Sequence, residues 1–274
     1  MGLNWEQALA QVRIVLVEPQ GALHVGAIAR IMKNMGLQQL VLVNPQCDPL
    51  SLEATQMAVH AFDILQTAQI VDTLPAAISG CTRAIATTAR NRTSNCLLEE
   101  PHTALPWLTS HAAPTALIFG PEYRGLSNEE LNYAQRFVRI SSSSAYPSLN
   151  LAQAVAICCY ELAKTTQAQT GDDYKAQTTD EASLDVLEGF YQQLEDLLLK
   201  IGYLFPHTAA SRMEKFRQIF NRAQLENSEV AMLRGILTQV EWATHSRTTQ
   251  RLPLSQQGEQ RGRGAEGQGS RKEE

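Results

Sequence analysis

The sequence predicts an α/β fold in which a parallel sheet is followed by a helical C-terminal extension. Three observations support this prediction. The first 165 residues alternate short β-branched runs with amphipathic helical stretches, a segment poor in apolar residues follows, and three apolar stripes at helical spacing come next. Strands that alternate with helices are typical of parallel sheets, because each crossover between parallel strands needs a connection of about helix length.

The β-branched runs predict five strands. They lie at Val12–Val17, Gln39–Val43, Arg83–Thr87, Thr115–Phe119 and Phe137–Ile140. Apolar residues at helical spacing predict helices between and after them. One such helix ends at Gly36 as its C-cap, and another, over residues 149–165, follows Ser148, which we expect to be its N-cap.

The composition changes along the chain and predicts four parts. Residues 1–165 form the α/β domain, residues 166–182 a polar linker, residues 183–246 a helical C-terminal domain, and residues 247–274 a disordered tail. About 65 residues of helix bury only a thin core by themselves. We therefore expect the C-terminal helices to pack against the first domain or against a partner subunit.

The composition also limits the class of protein. Hydrophobic residues make up 44% of the chain and charged residues 19%, which supports a buried core and excludes global disorder. The sequence has no apolar run near the roughly 20 residues of a membrane helix and no signal-peptide pattern at its start. Five cysteines without a Cys-x-x-Cys pair, and histidines without ligand spacing, favour a reducing, cytoplasmic location and no metal site.

The loop after the first strand contains residues that are costly for folding unless they serve a function. Gly21 and Gly26 allow tight turns and a close approach at a helix start, and Arg30 follows on a largely apolar stretch. A lone arginine is more often a surface residue paired with a carboxylate. The glycines at 21, 26 and 36 do not have the spacing of a dinucleotide-binding motif.

Two further loops follow predicted strands. Thr87, Thr88 and Ala89 lie where ligands bind in open α/β sheets, and Arg90 and Arg92 are suited to phosphate, although an ordinary solvated loop is equally compatible. The loop at residues 119–126 holds a carboxylate between two glycines. The segment at residues 148–151 inserts polar residues into the opening of an apolar helix, which a flexible serine loop does not explain.

Together these loops resemble three motifs of the SpoU branch of the SPOUT class of RNA 2′-O-methyltransferases. The first motif corresponds to His24-x-Gly26-x-x-x-Arg30, the second to residues 119–126 and the third to residues 148–155. Their order and spacing fit the family over residues 11–165. The family usually has asparagine where this chain has His24, which is larger and titrates near neutral pH.

The resemblance implies a trefoil-knotted, Rossmann-like parallel sheet with a C-terminal helical extension, and S-adenosylmethionine as the cofactor. It implies a homodimer whose site is completed across the interface, with the helix over residues 149–165 as the dimer surface. Within the family, the chain is most similar to tRNA enzymes that methylate the ribose of cytidine or uridine at position 32 of the anticodon loop.

The resemblance also assigns residues to the site. The cofactor pocket would be lined by Thr87, Thr88, Ala89, Gly120, Ile140, Pro147, Ser148 and Leu149. The catalytic residues would be Arg30, Ser148, Asn150 and Glu122, and the RNA-binding residues Arg30, Arg90 and Arg92. Because arginine is hard to deprotonate, we interpret Arg30 as an electrostatic anchor for the hydroxyl or phosphate. Glu122 would orient the loop or Arg30.

Two alternative functions remain open at this point. The same core serves ribosomal RNA 2′-O-methyltransferases, so ribosomal RNA is an alternative substrate. A knotted RNA-binding protein without catalysis is the other alternative, and the departure at His24 is the feature that favours it. His24 itself is either a proton acceptor or, more commonly for such a position, a solvent-facing turn residue.

Overall fold

The protein has a seven-stranded parallel sheet flanked by helices. The computed structural model describes residues 4–89, 97–143, 145, 148–169 and 180–249. The strands are β1 (Val12–Val17), β2 (Gln39–Val43), β3 (Gln69–Val71), β4 (Arg83–Thr87), β5 (Leu98–Glu99), β6 (Thr115–Phe119) and β7 (Arg136–Val138). They are ordered β3-β2-β1-β6-β4-β7-β5, and every neighbouring pair is parallel. The α/β prediction is confirmed.

The helices connect the strands and then continue beyond the sheet. Those of the sheet region are α1 (Trp5–Ala10), α2 (Ala22–Asn34), α3 (Leu52–Ala58), α4 (Phe62–Thr67), α5 (Leu74–Ile78), α6 (Pro101–Ala104), α7 (Pro106–Thr109), α8 (Asn128–Leu131) and α9 (Leu151–Gln169), with a short 3-10 turn at Val59–Ala61. The C-terminal helices are α10 (Leu184–Lys200), α11 (Pro206–Ala223) and α12 (Asn227–Thr249). In the described part of the chain, no helix is long and apolar enough to cross a membrane.

Both faces of the sheet are buried, because alternate residues of each strand point to opposite faces. Ile14 and Leu16 of β1 belong to the core cluster that contains Val25 of α2 and Val155 of α9. Their neighbours in β1 belong to a second cluster, which also contains residues of α10, α11 and α12. The C-terminal helices therefore pack against the α/β domain. The sequence predicted that they would pack against this domain or a partner subunit, because they can bury only a thin core by themselves.

Four of the predicted strands have the predicted bounds, and the fifth is shifted. The structure places β7 at Arg136–Val138, where the sequence predicted Phe137–Ile140. Two strands, β3 and β5, were not predicted. They have three and two residues and pair along one side only, so their alternation is too short to recognise.

Helix α2 lies unusually close to α3. A Cβ atom on Gly26 would come within 2.2 Å of the carbonyl oxygen of Ala54, so no side chain fits there. Gly36, which was predicted to end this helix, has a φ of +78°, in the region that favours glycine. The two glycines therefore fix where α2 lies and where the chain leaves it.

A buried ion pair attaches the start of the C-terminal region to the sheet. Arg83 of β4 donates to both carboxylate oxygens of Glu181, at 2.5 and 2.8 Å, and its guanidinium lies 4.8 Å from the ring centroid of Trp107. The imidazole of His111 lies 3.4 Å from the same carboxylate. Burial and the Arg83 guanidinium lower the pKa of His111.

The segment predicted as a linker is partly structured. Helix α9 continues to Gln169, because Thr166 is buried and its hydroxyl contacts that of Thr109 at 3.1 Å. At the other end, Ala182 is buried and Glu181 pairs with Arg83. The structure therefore differs from the predicted linker at both of its ends. Helix α12 also continues to Thr249, three residues into the predicted tail of residues 247–274, while residues 170–179 and 250–274 lie outside the described residues.

Candidate active site

A cleft of about 200 Å³ opens at the carboxyl ends of β4, β6 and β7, beside the start of α9. This is the edge at which open parallel sheets bind ligands, since the loops leaving adjacent strands diverge there. Its lining comprises Thr87, Thr88, Ala89, Phe119, Gly120, Pro121, Glu122, Tyr123, Arg124, Gly125, Leu126, Val138, Ile140, Ser148, Leu149, Leu151 and Ala154.

The cleft brings together most of the residues predicted to hold the cofactor. Seven of them line it, namely Thr87, Thr88, Ala89, Gly120, Ile140, Ser148 and Leu149. The eighth, Pro147, lies outside the described residues, as do Arg90 and Arg92, which were predicted to bind RNA. Residues up to 62 positions apart in the chain, from Thr87 to Leu149, thus form one surface.

Backbone contacts hold the floor of the cleft. The Thr87 hydroxyl donates to the carbonyl of Ile118 at 3.1 Å, and the amide of Thr88 donates to the carbonyl of Val138 at 2.9 Å. A Cβ on Gly120 would come within 2.3 Å of the amide nitrogen of Leu126, so the loop folds back on itself at glycine. The loop therefore presents its backbone closely to the cleft.

An ion network fixes the outer part of the same loop. The Arg124 guanidinium donates to both oxygens of Glu130, at 2.7 and 2.9 Å, and to Glu18 at 2.9 Å. The Tyr123 hydroxyl donates to the same oxygen of Glu18 at 3.0 Å. The bond to Glu130 raises the pKa of Arg124, and Arg124 with Ser127 lowers the pKa of Glu130 although burial opposes it. This network anchors the loop to the end of β1.

Three polar side chains meet at the mouth of the cleft. The Nδ1 atom of His24 lies 2.7 Å from Oε1 of Glu122, and its Nε2 atom lies 2.9 Å from Nδ2 of Asn150. The second oxygen of Glu122, Oε2, is buried and forms no hydrogen bond with any described residue. The predicted catalytic residues Glu122 and Asn150 are therefore linked through His24, which the sequence reading favoured as a solvent-facing residue.

The residue that caps α9 differs from the prediction. The side-chain oxygen of Asn150 accepts from the amides of Ala152 at 2.9 Å and Gln153 at 3.4 Å, so Asn150 is the N-cap. The prediction of Ser148 for this position was wrong. Ser148 lies two residues earlier and lines the cleft.

Arg30 lies apart from the cleft. Its side chain is exposed on α2, it does not line the cleft, and it forms no hydrogen bond or ion pair with any described residue. The structure of the single chain therefore brings Ser148, Asn150 and Glu122 together without Arg30.

The described residues contain no group of three or more histidine, cysteine or acidic side chains able to hold a metal ion. Burial raises the pKa of the Cys158 thiol to about 12 and that of Cys81 to about 11. Cys159 is fully buried beside Cys158. These three thiols are inert core groups at neutral pH.

Sequence reasoning missed the groups that hold the loop in place. Glu18 and Glu130 were not singled out, although Glu18 directly follows β1 and Glu130 belongs to a capping box with Ser127. A carboxylate immediately after a strand of a parallel sheet was a usable signal for Glu18. No local sequence pattern predicts that Arg124 pairs with both of these carboxylates.

The comparisons with known families agree with this geometry. Residues 11–160 match the SpoU rRNA Methylase family, and residues 185–252 match the C-terminal domain of the tRNA methyltransferase TrmJ. The first match covers more than half of the chain and ends within α9. The second covers the three C-terminal helices.

Curated relatives and solved structures extend over most of the chain. The tRNA (cytidine/uridine-2′-O-)-methyltransferase TrmJ of Salmonella typhimurium is 40% identical over 237 residues, which cover 85% of this chain and 97% of the relative. TrmJ of Escherichia coli K12 is also 40% identical, with 85% and 96% covered.

Among solved structures, TrmJ from Z. mobilis ZM4 superposes with a TM-score of 0.74 at 30% identity, covering 84% of this chain and 98% of that one. A probable methylase family protein from Haemophilus influenzae gives a TM-score of 0.57 at 31% identity, covering 87% and 99%. The sheet, the cleft at its carboxyl edge and these matches show that the chain belongs to the SpoU rRNA methylase family.

Proposed function

We propose that the protein transfers the methyl group of S-adenosylmethionine to the 2′-hydroxyl of cytidine or uridine at position 32 of tRNA. Family membership supports the reaction class. The relatives that are 40% identical over 85% of the chain carry the name tRNA (cytidine/uridine-2′-O-)-methyltransferase, and this supports tRNA as the substrate. The choice of position 32 as the target nucleotide is based on the resemblance of the sequence to one subfamily.

One observation carries the proposal. Segments after β4, β6 and β7 and the start of α9 converge on a single cleft, with Glu122 at its wall and Asn150 at its mouth. Two of these segments, the loop after β6 and the start of α9, are ones that the sequence associated with family motifs. A ligand held there lies against backbone groups and faces two polar side chains on the open side.

The lining fits S-adenosylmethionine chemically. Leu126, Val138 and Leu149 offer apolar surface, and the loop backbone offers donors and acceptors. The Oε2 atom of Glu122 is buried without a partner among the described residues, and a buried acceptor of this kind fits a positively charged ligand. When bound, the cofactor supplies a methyl group that is already activated by the positive charge on sulfur.

The residues of the chain would then align the 2′-hydroxyl as the nucleophile, and its proton would pass to water. Ser148 and Asn150 would hold the ribose and orient its 2′-hydroxyl toward the cleft. Arg30 stabilises the hydroxyl or an adjacent phosphate as a fixed cation, and Arg90 and Arg92 bind phosphates of the RNA. Glu122 holds the geometry of the loop and of His24.

We propose a homodimer formed through α9. This helix exposes the apolar side chains of Ile157 and Tyr160 on the side that also carries Gln153, and α2, which carries Arg30, packs against α9. Because Arg30 lies outside the cleft of its own chain, a site completed by a second chain accounts for its exposed position. We also propose that the parallel-sheet domain forms the trefoil knot that is typical of the family.

Ribosomal RNA is the second candidate substrate, and the description of the matching family favours it. The C-terminal helices favour tRNA, since residues 185–252 match a domain described for a tRNA methyltransferase. The two substrates require the same chemistry at the cleft, so the distinction is one of RNA recognition.

Methyl incorporation tests the proposal. The full chain is incubated with labelled S-adenosylmethionine and either unmodified total tRNA or ribosomal RNA, and the labelled nucleosides are mapped. We expect a 2′-O-methylated pyrimidine at position 32 of tRNA. Label in ribosomal RNA alone would refute tRNA as the substrate, and no label in either RNA would refute methyl transfer.

A further inference from the structure

The imidazole of His24 connects two residues that belong to different parts of the fold. His24 lies in the first turn of α2, Glu122 in the loop after β6 and Asn150 directly before α9. The two contacts, at 2.7 Å to Glu122 and 2.9 Å to Asn150, use both ring nitrogens. Its side chain is about one-third exposed, so the chain of contacts lies at the surface of the site.

The capping role of Asn150 decides the direction of these hydrogen bonds. Its side-chain oxygen accepts from the amides of Ala152 and Gln153, which leaves the NH₂ group directed at Nε2 of His24. An amide nitrogen donates and does not accept. Nε2 must therefore be the acceptor, and it carries no proton in this arrangement.

The other ring nitrogen then has to carry the proton. Nδ1 donates to Oε1 of Glu122, whose carboxylate accepts. A neutral His24 with its proton on Nδ1 satisfies both partners. A second proton, on Nε2, would leave the bond to Glu122 in place and strengthen it as an ion pair, but it would set an N–H group against the NH₂ group of Asn150. Protonation therefore breaks the contact with Asn150 selectively.

We infer that His24 is a positioning residue that holds the side chain of Asn150 in register only while the imidazole is neutral, so that methyl transfer is lost as His24 becomes protonated. The inference rests on the proposed function, in which Asn150 holds the ribose.

The charged and titratable groups around the imidazole come from three elements. Glu122 contacts it directly, and Cys47 lies near Glu122, where burial and then that carboxylate raise the pKa of the thiol. Arg124, in the same loop as Glu122, is paired with Glu18 and Glu130. On α2 itself, Arg30 is two turns further on, and on α9 the facing group, Asn150, does not titrate.

Two substitutions separate positioning from other roles. In His24→Gln, the carboxamide keeps one donor and one acceptor but cannot take up a proton. His24→Ala removes both contacts. His60→Gln is the matched control, because His60 is exposed in the turn after α3 and forms no hydrogen bond with any described residue.

Single-turnover methyl transfer to unmodified tRNA is measured from pH 5.5 to 8.5 for each protein. We expect the wild-type rate to fall by up to about tenfold per pH unit on the acid side, as for one titrating group. H24A should be slower by about tenfold at pH 8, the effect of losing a hydrogen bond that orients substrate. H24Q should recover most of that loss, and its rate should not fall on the acid side of the pH profile (the acid limb). H60Q should behave as wild type.

Several outcomes would overturn the inference. If H24Q is as slow as H24A at pH 8 while it binds cofactor and tRNA like wild type, His24 accepts a proton itself and is more than a positioning residue. If H24Q keeps the acid limb, another group causes it. An acid limb lost in H60Q as well would show that the change is not specific to His24.

A spectroscopic readout keeps the inference separate from the proposed function. Nitrogen NMR of the protein labelled at histidine ring nitrogens should show the His24 proton on Nδ1 at pH 8, and His24→Gln assigns the signal. A proton on Nε2 overturns the inference. If the wild type methylates no RNA at any pH, the proposed function fails, and the NMR result alone then decides the hydrogen-bond arrangement of His24.

Discussion

Replacing Gly26 with alanine tests the close packing that sets the position of α2. The new Cβ would lie 2.2 Å from the carbonyl oxygen of Ala54, 2.9 Å from its carbonyl carbon and 3.0 Å from its Cα. Carbon–oxygen contacts between close backbones are about 3.3 Å or more, so α2 and α3 would have to separate by about 1 Å. The obstructing atoms are backbone, and no side-chain rotation can relieve the clash.

The expected loss of folding stability in Gly26→Ala is the difference between two opposing contributions to the free energy of unfolding. Overpacking in a core costs about 1–3 kcal/mol, and a clash with backbone belongs at the upper end. Alanine gains about 1 kcal/mol over glycine in helix propensity. We therefore expect Gly26→Ala to lower the free energy of unfolding by about 2 kcal/mol. Because His24 precedes it on α2, methyl transfer should fall as well.

Gly235 provides the matched control. It also lies inside a helix, α12, but nothing is within 4 Å of a Cβ built there. Gly235→Ala should raise the free energy of unfolding by about 0.5–1 kcal/mol. Urea unfolding followed by circular dichroism compares both variants with wild type. Equal stability of the two variants would refute the close approach of α2 and α3.

Three further predictions concern the ion pair, its histidine and Arg30. Glu181→Gln should lower the free energy of unfolding by about 3–5 kcal/mol, because Arg83 stays buried without its carboxylate; urea unfolding measures it, and an unchanged midpoint would contradict it. Since the pKa of His111 lies below its ordinary 6.5, the unfolded chain takes up the proton more readily. Stability should therefore be full above pH 6.5 and decline as the pH falls below it, and His111→Gln should reduce this decline in thermal unfolding. Arg30→Ala should abolish methyl transfer yet bind S-adenosylmethionine normally by calorimetry, and normal turnover would remove Arg30 from the mechanism.

The sequence predicted the central strands well because each is encoded locally. The strands β1, β2, β4 and β6 are predominantly apolar with both faces largely buried, and such runs are recognisable without their neighbours. The edge strands β3 and β5 escaped prediction for the opposite reason. They are short and contain no fully buried residue, and their pairing with β2 and β7 defines them.

The candidate site was predicted in part. The residues that line the cleft follow strands or precede a helix, so their place at the carboxyl edge of a parallel sheet was implied by the order of the elements. The N-cap of α9 was misplaced by two residues, because Ser148 and Asn150 have similar capping preferences. Geometry decided between them.

By itself, the sequence determined the class of fold, the central strands and the loops that would carry the site, since all of these follow from local periodicity and the order of elements. Only the tertiary structure decided which polar groups meet. His24 contacts Glu122 across 98 positions and Asn150 across 126, and Arg83 contacts Glu181 across 98. Such contacts depend on where complete helices and strands lie relative to one another, and each of those positions is the sum of many packing interactions along the chain.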